Sequence, residues 1–251
     1  MPDITIDIPT RYGSMEAFAT YPEGDGPFPA VILYMDAPGI REELRNMCRR
    51  IAKQGYFVLL PDLYYRLGLL RFDIPRRTDA MSVVIRGAMD SLTNAQVVED
   101  SAGLIAFIDA HEKTKAGMVG SIGYCMSGCF ITSLAAKFPN RIAAAASLYG
   151  VGIVTDKPDS PHLLIDQVKG ELYFAFAEHD PSVPDHVILE LKKRISHTAS
   201  RHEIEVFAGT HHGFCFTGRK DYDVFAAEQS LSKIFAMFER TLKSDTVSTK
   251  C

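Results

Sequence analysis

No apolar run in the 251-residue sequence is longer than a β-strand needs. None approaches the roughly twenty residues that cross a bilayer. Met1-Pro2-Asp3-Ile4-Thr5 lacks the basic stretch and apolar run of a secretory signal. Cysteine is sparse: five residues, at 48, 125, 129, 215 and 251, an odd number without a CxxC pair. This rules out a disulfide framework, and the lack of HExxH or of paired Cys/His spacings argues against a zinc site. A reducing, cytoplasmic setting fits, in which a thiol works as a thiol. Nor is there an excess of charge of one sign. A formal net charge of -4 and a pI near 6.1 give no reason to expect nucleic acid or an anionic membrane as partner.

What is present is an alternation. Short Val/Ile/Leu/Tyr-rich runs end in Gly, Pro or Asp, and longer helix-periodic segments separate them. Residues 30–35 and 56–60 are nearly all apolar, as strands buried on both faces are. Further strands are predicted at 117–124, 142–149, 171–177 and 204–207. Helices are predicted at 41–54, 93–112, 126–137, 184–197 and 221–243. This order predicts an α/β protein with a mostly parallel central sheet and helices on both faces. No linker or repeat interrupts it, so the reading is one domain over 1–251. Residues 64–92, rich in Arg and Asp, read as an irregular excursion or lid, and 244–251 as a frayed tail.

Four loops carry the chemistry. In Gly123-Tyr124-Cys125-Met126-Ser127-Gly128 an apolar strand runs into a sharp turn and then a helix, a variant of the G-x-S-x-G nucleophile elbow. Cys125 stands at the apex, where the helix N-terminus favours a thiolate. The Met126 N–H would face a developing oxyanion. The competing reading is a small, inert, buried thiol. Ser121 and Ser127 miss the apex, which argues against a serine nucleophile. The order nucleophile, acid, base then directs attention to two later loops. In Thr210-His211-His212-Gly213-Phe214, His212 is the expected base and His211 a polar neighbour. In Glu178-His179-Asp180-Pro181, Asp180 is the expected acid, with Glu178 as rival and helix capping as the alternative role for Asp180. The fourth loop, Asp36-Ala37-Pro38-Gly39, would supply a second oxyanion N–H from Ala37. It also places Asp36 near the thiol as an activating or substrate-binding candidate.

Together with Pro61-Asp62-Leu63-Tyr64-Tyr65-Arg66, these segments resemble the dienelactone hydrolase (carboxymethylenebutenolidase) family over about residues 10–240. The resemblance implies an eight-stranded α/β-hydrolase fold, no metal or organic cofactor, and a triad at Cys125, Asp180 and His212. It implies a small ester or lactone as substrate and a cysteine acyl-transfer mechanism. Neither nucleic acid nor membrane is expected as a partner, and the chain is expected as a monomer or small homo-oligomer. A hydrolase-fold protein that binds a small molecule or partner without turnover is the alternative. Two positions depart from the family. Asp36 stands where the family carries a thiol-activating glutamate. Phe216 stands four residues after the histidine, where the dienelactone enzymes carry an arginine for the substrate carboxylate. Arg219, Arg76, Arg77 and Arg86 are the candidates to replace it, with a solvated surface as the competing role. Whether Cys129 and Cys215 approach the site is left open by the sequence.

Overall fold

The computed structural model describes residues 1–244. Its strands are β1 (Asp3–Thr10), β2 (Gly13–Thr20), β3 (Phe28–Tyr34), β4 (Phe57–Pro61), β5 (Thr114–Tyr124), β6 (Ile142–Leu148), β7 (Glu171–His179) and β8 (His202–His211). Its helices are α1 (Glu42–Ala52), α2 (Asp79–Asp90), α3 (Asn94–Ala110), α4 (Ser127–Lys137), α5 (Asp185–Ile195) and α6 (Val224–Phe238). The strands form one sheet in the order β1-β2-β4-β3-β5-β6-β7-β8. From β4 to β8 neighbouring strands run parallel, while β1 and β2 are antiparallel. This is the α/β-hydrolase arrangement.

The central strands are covered on both faces. Val31 to Tyr34 of β3, all of β4 and all of β6 are buried. In β6, Ile-Ala-Ala-Ala-Ala-Ser-Leu, four consecutive alanines leave room for helices to lie close to the sheet. On one face α1 and α6 meet, joined by Arg50 and Glu228 at 2.7 Å. On the other, α3 packs on α4, and α4 reaches α5 through the 3₁₀ segment Pro161–Gln167.

Two features differ from the sequence reading. The N-terminal hairpin β1–β2 was not foreseen, and the 64–92 segment is more ordered than an irregular excursion. It contains α2, whose N-cap Thr78 accepts a hydrogen bond from the Met81 N–H. The last helix starts at Val224, three residues later than expected, and continues to Lys243 with a π-helical final turn at Glu239–Lys243. Of the predicted tail, residues 245–251 lie outside the described residues.

The segment is tethered by charge. Arg66 donates two 2.8 Å hydrogen bonds to Asp100 of α3, and the Tyr65 hydroxyl donates a third at 2.9 Å. Asp100 is 1% exposed. Removing one member of such a pair strands its partner. Asp100→Ala is therefore expected to lower unfolding free energy by about 3 kcal/mol. Urea unfolding reads this, and a loss below about 1 kcal/mol would place the pair among weak surface bridges.

Candidate active site

Four loops leave the carboxyl ends of parallel strands β3, β5, β7 and β8, so the topology gathers them at one end of the sheet. The elbow between β5 and α4 is the most constrained. Cys125 has φ +53°, a left-handed conformation that residues with a side chain rarely adopt. The turn is held by Cys125 N–H donating to Leu148 O at 3.1 Å and Val151 N–H donating to Cys125 O at 2.9 Å. A Cβ on Gly123 would lie 2.5 Å from the Ser127 carbonyl oxygen, and one on Gly128 would lie 2.4 Å from the Gly150 Cα. Both positions therefore exclude any side chain. Ser127 is buried, and its hydroxyl donates to Met35 O at 2.5 Å, tying the elbow to the loop after β3.

His212 follows β8 directly. Its Nδ1 donates to Asp180 Oδ2 at 2.6 Å, and the ring lines the same cavity as Cys125. Burial disfavours the imidazolium, but the hydrogen bond to Asp180 and the nearness of Cys125 outweigh it. The His212 pKa is pushed up to about 10. Asp180 is buried, and its other oxygen accepts the Ser182 N–H at 2.9 Å. The helix-cap role does not hold: Pro184 is the N-cap of α5, without a side-chain cap. Glu178, the rival acid, is exposed and accepts from Gly209 N–H at 2.7 Å. His211 is exposed and lies against the ring of His179 at 5.1 Å.

A cavity of about 810 Å³ opens over Cys125 and His212. Ala37 and Pro38 form one wall, and Ser82, Val83, Ile85, Arg86 and Met89 of α2 form another. Arg77, Arg86 and Arg219 line it, with no carboxylate among its described lining residues. Arg76 does not; it pairs with Asp73 on the surface. Met126 follows Cys125 as the N-cap residue of α4.

Asp36 is fully buried, as a carboxylate between two guanidinium groups. Arg41 approaches both its oxygens, at 2.5 and 3.1 Å, and Arg219 reaches Oδ2 at 2.8 Å. Arg41 escaped the sequence reading, which took it as a helix start. Tyr64 is a second such residue: its hydroxyl donates to Ala37 O at 2.7 Å and approaches Met126 Sδ at 3.4 Å, bracing the loops after β3 and β5. Only its place in the Pro-Asp-Leu-Tyr segment hinted at this. Tyr149, with φ +39°, sets its ring edge-on to His212 at 5.0 Å, and no sequence pattern signalled it.

The other thiols are held neutral. Burial pushes Cys129 up to about 12, although backbone N–H groups partly offset it, and burial does the same to Cys215. Cys129 donates to Met126 O at 3.0 Å and lines a separate hollow, and Cys215 lies by Ser230. Among the described residues no cluster of three or more His, Cys, Asp or Glu could hold a metal ion. No helix among them is long and apolar enough to cross a membrane.

A sequence model of the dienelactone hydrolase family matches residues 15–242. A Synechocystis sp. protein provisionally named a carboxymethylenebutenolidase is 28% identical over 243 residues, covering 95% of this chain and 96% of the relative. A Bradyrhizobium sp. protein provisionally named a 2-oxo-3-(5-oxofuran-2-ylidene)propanoate lactonase is 25% identical over 229 residues, covering 90% and 89%. Among solved structures, a Klebsiella pneumoniae protein provisionally named a dienelactone hydrolase superposes with a TM-score of 0.85 at 24% identity, covering 95% of this chain and 98% of its own. A dienelactone hydrolase-like promiscuous phosphotriesterase from metagenomic libraries gives 0.79 at 16% identity, covering 96% and 98%. With the family match running from β2 to the turn after α6, the chain belongs to the dienelactone hydrolase family and is an ester or lactone hydrolase of the α/β-hydrolase fold.

Proposed function

We propose that the chain hydrolyses small anionic esters or lactones by acyl transfer to Cys125, with His212 as proton carrier and Asp180 as its orienting acid. One observation carries the reading: a cysteine at φ +53° that shares a cavity with a histidine whose Nδ1 is bound to a buried carboxylate. The Cys125 sulfur, its proton on His212, attacks the carbonyl carbon. The N–H groups of Ala37 and Met126 stabilise the oxyanion. As the C–O bond breaks, the imidazolium gives its proton to the leaving oxygen, which in a lactone stays tethered to the acyl group. Neutral His212 then takes a proton from water as the hydroxide attacks the thioester carbon. The C–S bond breaks, the acid departs, and the thiolate–imidazolium pair returns.

Three arginines line the cavity; Arg219 is paired with the buried Asp36, while no carboxylate faces the cavity among its described lining residues, and this favours an anionic substrate. The Bradyrhizobium relative's name, a lactone bearing a propanoate, agrees with that charge. Cys48, Cys125, Cys129 and Cys215 are all free thiols, as suits a reducing compartment.

Iodoacetamide labelling at pH 7, with the labelled cysteines identified by mass spectrometry, tests the nucleophile. Cys125 is expected to react first, with Cys129 and Cys215 silent in the folded protein. His212→Asn is expected to slow Cys125 labelling about tenfold or more. Equal reactivity of the three thiols, or a rate indifferent to His212, would contradict the assignment.

A further inference from the structure

A second hollow of about 470 Å³, the one that Cys129 lines, adjoins the catalytic cavity. Met89 of α2 and Val151 after β6 form part of the wall of both. The two residues are held differently. The Val151 N–H donates to Cys125 O at 2.9 Å, so this stiff, branched residue is fixed beside the nucleophile. Met89 is half-buried near the end of α2, and its unbranched thioether can turn aside. The pair makes a passage with one fixed and one yielding side. Behind it the hollow is apolar, with Leu92, Met126, Cys129 and Phe130 in its wall. Gly152, at φ +69°, keeps the wall beside Cys129 free of a side chain. The charged residues of the hollow, Asp90, Lys157 and Asp159, are exposed and of mixed sign. The catalytic cavity, with three arginines, is chemically different.

We propose that this hollow is a second substrate compartment, which takes an apolar arm on the acyl part of the ester or lactone, and that Met89 and Val151 determine which acyl groups enter. The inference rests on the proposed reading of Cys125 as nucleophile and His212 as proton carrier. Two observations fix the direction. The leaving oxygen must lie near His212, which among the described residues lines the catalytic cavity but not the second hollow. Met126, whose N–H faces the oxyanion, does line the hollow, and its Sδ is held by the Tyr64 hydroxyl at 3.4 Å. From a carbonyl carbon on Cys125, the group directed past Val151 is therefore the acyl chain and not the leaving group. The wall then selects the chemistry of that chain. Thioether, aromatic and aliphatic surfaces favour a hydrocarbon arm, and charges of mixed sign give an ionic arm no net attraction. One polar atom stands out. Asn94 Oδ1 is buried at the hollow without a hydrogen-bond partner among the described residues. An acceptor left so is costly, and a hydroxyl or N–H on the arm would satisfy it.

The test is a series of p-nitrophenyl butyrate, hexanoate and octanoate, each kept monomeric, which differ only in methylene groups. Full burial of one methylene is worth about fourfold. For wild type, kcat/KM is expected to rise about tenfold or more from butyrate to octanoate. Leu92→Trp fills the second hollow from a position outside the catalytic cavity, and should bring the octanoate-to-butyrate ratio back to near one. The ratio is taken within each variant, so a general loss of rate cancels. Val151→Phe narrows the passage and should lower the ratio in the same way, which keeps the comparison if Leu92→Trp does not fold. A binding readout accompanies the rates: octanoate should inhibit butyrate hydrolysis competitively, and about tenfold more weakly in Leu92→Trp. If wild type does not hydrolyse the butyrate, or Cys125→Ala hydrolyses it equally well, the nucleophile reading fails and the proposal with it. If hydrolysis depends on Cys125 but the wild-type ratio is flat, or both wall variants leave the ratio unchanged, the second compartment alone is overturned.

Discussion

Cys125→Ala is expected to lower kcat/KM for p-nitrophenyl esters by about four orders of magnitude or more, the scale on which removing a triad nucleophile acts. The remainder would be what Ala37, Met126 and the cavity achieve by binding alone. The variant isolates chemistry from folding. Alanine keeps the Cβ that makes φ +53° costly, so the elbow's strain is unchanged, and the sulfur it removes is only partly enclosed. Thermal unfolding should therefore move by no more than a few degrees. A wild-type rate in Cys125→Ala would end the cysteine reading. A serine would not replace it readily: the Ser127 hydroxyl is buried and committed to Met35 O, and Ser121 is fully buried within β5. The alternative in which the fold binds without turnover predicts no wild-type hydrolysis to lose, so the same two assays separate all three cases.

The parts of this molecule that were legible in the sequence are those where one residue type has one physical reason to be present. Gly123 and Gly128 could be read as obligatory because the elbow leaves no room for a Cβ, and their contacts of 2.5 and 2.4 Å show that. The central strands were readable because both faces are covered, which makes them continuous apolar runs. Hairpin β1–β2 has a different signature. Ile4, Ile6 and Ile8 alternate with polar residues, the mark of a strand wet on one face, and a search for continuous apolar runs passes over it. Helix α2 was obscured for another reason. Its Val83-Val84-Ile85 run and Gly87 are poor helix formers, and only Ile85 and Ala88 are buried, so no apolar stripe announces it. At the site, the positions of Cys125, His212 and Asp180 followed from chain order. The partners of Asp36 did not. Arg41 is five residues away and Arg219 is 183, and no spacing rule connects a carboxylate to a cation that far along the chain. Tyr149 is beyond sequence reading for the same reason, since its place beside His212 exists only once β6 and β8 share a sheet.

Asp180→Asn should lower kcat by about a hundredfold or more and move the alkaline limb of the pH–rate profile. The His212 pKa, about 10, is held up by Asp180 and Cys125 against burial. Its imidazolium therefore persists through neutral pH and is lost as pH rises through about 10, and with it goes the proton for the leaving group. Wild-type kcat/KM should fall on that limb. In Asp180→Asn one of the two raising contacts is gone while burial remains, so the limb should move to lower pH. Stability follows the same sign. A histidine raised above its unfolded value of about 6.5 stabilises fully below that pH, progressively less above it, and not at all beyond about pH 10. The excess stability of wild type over Asp180→Asn should accordingly shrink between pH 7 and pH 10, as urea unfolding at each pH would read. Glu178→Gln is the control, because Glu178 bonds Gly209 N–H and not His212. If Glu178→Gln moves the limb and Asp180→Asn does not, the acid has been assigned to the wrong carboxylate, and the buried pair at 2.6 Å would have only a structural role.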